Sequence, residues 1–125
     1  MTLDLPLPPS VNSAFVARYG SSLTAKSGAY KFWLKLLAEE TGILPELHPG
    51  HYGLWVDLPL TMRGDIDNRV KLLSDALHGE LAVVADDKLM RGLYVGRVNG
   101  LPPERCTVTI VSWFRWLDYC KMQLS

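Results

Sequence analysis

The sequence predicts an α+β domain, a small mixed β-sheet covered by two main helices, and three observations point to it. Residues 27–41 and 67–77 carry apolar side chains at three- and four-residue spacing. Residues 2–7, 52–60, 89–98 and 105–114 instead alternate or read as strand-rich runs. The segments succeed one another as strand, loop, helix, strand, helix, strand, strand, and 125 residues that are 48% hydrophobic suffice for one core. A single domain over residues 1–125 is therefore expected.

Residues 2–7 form the first strand and run into Leu5-Pro6-Leu7-Pro8-Pro9-Ser10, whose prolines hold extended backbone but cannot continue a central ladder. Asn12 to Thr24, with Gly20, Ser21 and Ser22 at its middle, reads as two short extended pieces around a polar turn. Ser27 can cap a helix to about Thr41, because Tyr30, Trp33, Leu34, Leu37 and Ala38 recur on one face and Gly42 supplies a stop. Lys31 and Lys35 share its opposite face.

Along residues 52–60, Leu54, Val56, Leu58 and Leu60 fall on one side, Trp55 and Asp57 on the other, and Pro59 marks an end or an edge. Ile66, Val70, Leu73 and Leu77 then form the stripe of a second helix, about Asp67 to Leu77, with Gly79 as its stop. Leu81 to Ala85 is a short apolar run before Asp86-Asp87. Two strand-like segments follow, Leu89 to Val98 and Arg105 to Phe114, around a turn at Asn99-Gly100-Leu101-Pro102-Pro103.

Thirteen basic and thirteen acidic residues cancel, so net charge gives no hint of a partner. Their distribution does. Residues 5–38 contain no carboxylate but carry Arg18, Lys26, Lys31 and Lys35, whereas Asp65, Asp67, Asp75, Glu80, Asp86 and Asp87 gather between 65 and 87 beside only Arg69 and Lys71. A basic arm beside an acidic pocket suits an enzyme that holds a polyanion with cations and a metal with carboxylates.

Neither a secretion signal nor a run of about 20 apolar residues is present, which predicts a cytoplasmic protein without a membrane segment. Cys106 and Cys120 read as reduced structural thiols. No glycine-rich phosphate loop occurs, so no nucleotide cofactor is expected.

Asp65 and Asp67 flank Ile66 where a strand feeds a helix, so both carboxylates can converge at the helix mouth while Ile66 turns inward. Mg²⁺ prefers carboxylate oxygens and commonly uses one or two, leaving other positions to water and phosphate. Asp65, Asp67 and one of Asp86 or Asp87 would suffice. The plain alternative for the first pair is helix capping. Lys71 follows Asp67 by four residues and Asp75 follows Lys71 by four, a spacing that an ordinary surface ion-pair ladder explains equally well.

His48 and His51 are split by Pro49-Gly50 and lack the helical backbone of a zinc pair, so they read as loop residues, and His78 sits alone near a helix end. Tyr30, Trp33 and Trp55 read as core, which leaves Tyr19 as the aromatic candidate for base contact.

Gly64-Asp65-Ile66-Asp67-Asn68-Arg69-Val70-Lys71, then Ser74-Asp75-Ala76-Leu77, then Ala85-Asp86-Asp87-Lys88, with the earlier Pro8-Pro9-Ser10-Val11-Asn12 and Ser27-Gly28-Ala29-Tyr30, resemble the RusA family of Holliday junction resolvases. The resemblance spans about residues 5–90. It implies a small homodimer in which Asp65, Asp67 and Asp87 are essential carboxylates for Mg²⁺-dependent phosphodiester hydrolysis, and Lys71 is a functional lysine. Asp86 matches a neighbouring acid, as a direct ligand or its partner, and Asn68 completes the motif without an assigned role.

Asn12, Arg18, Tyr19, Lys26, Lys31, Lys35, Arg63 and Arg69 are the candidate DNA contacts. The implied substrate is a four-way junction or other branched DNA, in a bacterial cytoplasm or encoded by a phage acting there. Relatives often carry an arginine run before the acidic core, where this chain has only Thr61-Met62-Arg63-Gly64, and the aromatic C-terminal stretch is unfamiliar. Two other functions fit the same residues: a branched-DNA-binding protein without catalysis, and a metal-dependent phosphoesterase for small phosphates. The acid-free basic segment favours a long polyanion over the latter.

Overall fold

The computed structural model of the protein describes residues 1–10, 15–17, 24–42 and 46–125. In chain order its elements are β1 (Thr2–Pro6), β2 (Phe15–Ala17), β3 (Thr24–Lys26), α1 (Gly28–Glu40), β4 (Tyr52–Pro59), α2 (Asp67–His78), β5 (Met90–Val98), β6 (Arg105–Ser112) and α3 (Trp116–Leu124). Short 3₁₀ turns at Asp87–Leu89 and Trp113–Arg115 precede β5 and α3.

The main sheet is mixed, in the order β1-β6-β4-β5. β6 runs antiparallel to both β1 and β4, whereas β4 and β5 are parallel and joined through α2. A parallel pair needs a long crossover, and the segment that the apolar stripe marks as helical supplies it. Apart from this sheet, β2 and β3 pair antiparallel, Phe15 opposite Lys26.

One face of the sheet packs on α1 and α2. Leu54, Val56 and Leu58 of β4 are fully buried there, with Leu37 of α1 and Leu72, Leu73 and Leu77 of α2. Each such side chain contributes roughly 1.5–3 kcal/mol by leaving water. Ser27 caps α1 as expected, its Oγ accepting from the Tyr30 amide at 3.2 Å. Trp33 Nε1 donates to the Pro6 carbonyl at 2.9 Å and so ties α1 to the proline segment after β1.

Two expectations need correction. Leu60 does not join the inward row but is 51% exposed, because the strand stops at Pro59. The last strand ends at Ser112 rather than Phe114, and the chain turns into α3, a third helix that the sequence reading did not foresee.

That helix covers the other face of the sheet. Trp55 stacks on Tyr94 with ring centroids 3.8 Å apart, and Trp116 and Tyr119 of α3 meet Trp55 edge-on. Trp116 lies directly over Gly53 and Gly92, where a Cβ atom would come within 2.1 Å and 2.5 Å of its ring. Glycine on two neighbouring strands is what admits the indole. Among the described residues no helix is long and apolar enough to cross a membrane.

Candidate active site

Where β4 ends, residues 60–66 cross to α2 and bring the first acids. The position before α2 is taken by Ile66, in helical conformation and without a side-chain cap hydrogen bond of its own. Ile66 packs against the core, whereas Asp65 and Asp67 are exposed, the inward-outward split that the sequence predicts. Asp67 in the first turn also meets the positive end of the helix dipole.

α2 returns along β5, and between them lies a groove of about 370 Å³. Ile66, Val70, Met90, Leu93 and Val95 give it apolar walls, and Asp67, Lys71, Ser74, Asp75 and Asp87 supply its polar groups. The groove thus joins the two motif halves, which are 20 residues apart in sequence from Asp67 to Asp87. Lys71 Nζ is 3.6 Å from Asp75 Oδ2, and both side chains reach solvent.

Asp86 is used differently from Asp87. Its Oδ1 accepts the Lys88 amide at 2.9 Å and caps the 3₁₀ turn that Asp87 opens. That backbone hydrogen bond, ahead of the one with the Asp87 side chain, holds the Asp86 carboxyl below the usual carboxylate range. Tyr52, on β4, is shifted upward by burial first and then by the charges of Asp87 and Asp86.

Of the expected metal ligands, the structure sets Asp67 and Asp87 on one groove, together with Lys71, while Asp65 and Asp86 are not among its walls. Among the described residues no three His, Cys, Asp or Glu side chains form a cluster able to hold a metal ion. The donor chemistry still fits Mg²⁺, since the groove offers carboxylate oxygens and this ion commonly needs only one or two of them beside water and phosphate. Asp75 is a groove acid that the sequence reading left in a surface ladder.

The loop that carries Asp65 is held from two sides. Arg97 of β5 donates through Nη1 to the Met62 carbonyl at 2.6 Å and through Nη2 to that of Gly64. Arg69 of α2 donates through Nη2 to the Arg63 carbonyl at 3.2 Å and through Nη1 to that of Pro8. Burial moves the Arg69 pKa downward. Its guanidinium, a candidate DNA contact in the sequence, donates to these two backbone oxygens. Gly64 has φ +87°, a left-handed conformation that suits glycine.

Of the other expected DNA contacts, Asn12, Arg18 and Tyr19 lie outside the described residues, and Lys26 is placed by its backbone in β3. Lys31, Lys35 and Arg63 are exposed. Lys35 is 3.9 Å from Glu39, the first acid beyond the acid-free stretch, so part of its charge is offset. His48 contacts the Gly50 carbonyl and Ser112 Oγ, each at 3.1 Å, and His51 contacts Arg91, in keeping with structural loop roles.

A family model described as endodeoxyribonuclease RusA matches residues 6–111, which takes in both acid-bearing segments, the groove, β4, β5 and nearly all of β6. Among curated proteins none matches the chain.

Proposed function

Because the chain belongs to the RusA endodeoxyribonuclease family, we propose that it is a Mg²⁺-dependent endonuclease that resolves Holliday junctions by paired cleavage of phosphodiester bonds in DNA recombination and repair. The observation that carries this reading is the groove in which Asp67, Lys71 and Asp87 come together from two separate elements.

Phosphodiester hydrolysis is extremely slow without help, so an enzyme must provide a nucleophile and offset charge in the transition state. Mg²⁺, when bound, supplies Lewis-acid stabilisation and makes coordinated water more acidic. Asp67 and Asp87, which share the groove, would hold it, with Asp65 on the loop just before α2 and Asp86 fixing the turn that presents Asp87. Lys71 would neutralise charge on the phosphoryl or leaving oxygen, and Lys31, Lys35 and Arg63 would hold the flanking backbone.

A junction presents two symmetry-related strands. A two-fold homodimer would place one groove at each and give paired nicks. Such an enzyme would act in the cytoplasm of a bacterium or of a phage-infected host.

The test is incubation of the full chain with a synthetic four-way junction, and separately with linear duplex, in Mg²⁺ or in chelator. Paired nicks confined to the junction with Mg²⁺, and their loss in Asp67→Asn with junction binding retained, are expected. Binding without nicking would favour the non-catalytic alternative, and full activity of Asp67→Asn would sink the site assignment.

A further inference from the structure

We propose that Arg97, assisted by Arg69, is a positioning residue that fixes the acid-bearing loop for metal binding and catalysis. The inference rests on the reading of the groove as the catalytic site. Three successive carbonyls, of Met62, Arg63 and Gly64, accept hydrogen bonds from these two guanidinium groups, immediately before Asp65.

The arrangement draws on two elements and the segment after β1. Arg97 comes from β5, where its backbone lies opposite Leu58 of β4, and Arg69 comes from the first turn of α2. Arg69 also holds Pro8, so the proline segment after β1 is tied to the same loop. A loop of this length, with glycine at its end, has many backbone conformations available when free. Clamping consecutive carbonyls removes that freedom without using any group of the acids themselves.

The fork of guanidinium explains why arginine is needed. One planar group presents donors to the Met62 and Gly64 carbonyls at once, whereas a lysine ammonium is a point donor on a flexible stem. Hydrogen bonds from a charged donor are also the stronger kind. Arg97 itself is not among the groove's walls, and its two hydrogen bonds go to backbone carbonyls and not to Lys71, Asp67 or Asp87. Its effect on reaction would pass through the loop.

Arg97→Gln and Arg97→Lys in the full chain test this, with Asp67→Asn as the reference for the site itself. Backbone amide spectra with and without Mg²⁺ report the loop independently of cleavage, and thermal unfolding reports the fold. Junction affinity is measured in Ca²⁺ and single-turnover cleavage across a Mg²⁺ series.

Arg97→Gln is expected to keep junction affinity, to weaken the Mg²⁺-induced amide shifts of residues 64–67, and to slow cleavage about 10- to 100-fold, the range for a misplacement of about 1 Å. Arg97→Lys should fall between the two. Wild-type cleavage and Mg²⁺ dependence in Arg97→Gln would overturn the proposal, as would losses in affinity equal to those in rate. Should Arg97→Gln fail to fold, wild-type Mg²⁺ dependence in Arg97→Lys overturns it equally. Full activity of Asp67→Asn, by contrast, overturns the site reading, while the amide shifts still show whether Arg97 holds the loop.

Discussion

Lys71 and Asp75 stand one turn apart on α2, Nζ to Oδ2 3.6 Å, on the wall of the groove that Asp67 and Asp87 also line. An exposed pair of this kind is worth only about 0.2–1 kcal/mol of stability. Its position makes it more useful for aiming the ammonium. Lys71→Ala is therefore expected to leave folding and junction affinity nearly intact while slowing single-turnover cleavage about 10²-fold or more, as for loss of a charge-stabilising donor. Asp75→Asn, which frees the ammonium, should slow it less. Equal losses of affinity and rate in Lys71→Ala would make that residue a DNA anchor instead.

How much of this site could be read in the sequence depended on whether its geometry was local. The apolar stripe from Ile66 to Leu77 placed α2 and its exposed acids correctly, because helical spacing alone decides which side chains share a face. Arg97 gave no such signal. Its partners are backbone carbonyls 33 and 35 residues earlier, and a carbonyl has no residue type to recognise. Asp75 looked like any surface acid until β5 closed the groove beside it. The C-terminal helix was missed for a similar reason: Trp116 is anchored over glycines of two strands far from it in sequence, which no periodicity within α3 records.

Gly53 should be intolerant of any side chain. An alanine Cβ there would come within 2.1 Å of Trp116, and the ring is buried and cannot simply swing aside. Gly53→Ala is expected to cost about 1–3 kcal/mol as an overpacking substitution and to loosen α3 from the sheet. Urea unfolding followed by tryptophan fluorescence would measure both. A midpoint equal to that of the natural chain would show that α3 does not depend on this contact.

Cys106 and Cys120 should differ in reactivity and in their effect on alkaline stability. Burial pushes the Cys106 thiol up to about 12, whereas Cys120 is only half-buried. Iodoacetamide at pH 8 should therefore modify Cys120 in the native protein and Cys106 only after unfolding. Since the folded state holds the Cys106 proton more tightly, its contribution is complete below the ordinary thiol value of 9.0 and is lost as pH rises toward about 12. Cys106→Ala should consequently show a shallower fall in stability over that window, measured by urea midpoints. An equally steep fall would assign the alkaline loss to other groups.

The exposed face of α1 offers the clearest test of how DNA is held. Lys31 and Lys35 project into solvent from the side opposite Tyr30, Trp33 and Leu37, and they come from the stretch without carboxylates between residues 5 and 38. Each phosphate contact releases counterions on duplex DNA, so each one lost should lower the slope of log affinity against log salt by about 0.9. The two lysines are not equivalent, because Glu39 lies 3.9 Å from Lys35 and competes for its charge. Lys31→Ala is thus expected to flatten the salt dependence more than Lys35→Ala. Adding Lys26→Ala to both should flatten it further, while Mg²⁺ binding at the acidic groove stays unchanged. Fluorescence anisotropy of a labelled junction in Ca²⁺, titrated at several salt concentrations, measures the slope directly. A slope unaffected by all three substitutions would remove α1 from the DNA-binding surface and leave its lysines as solvating charge.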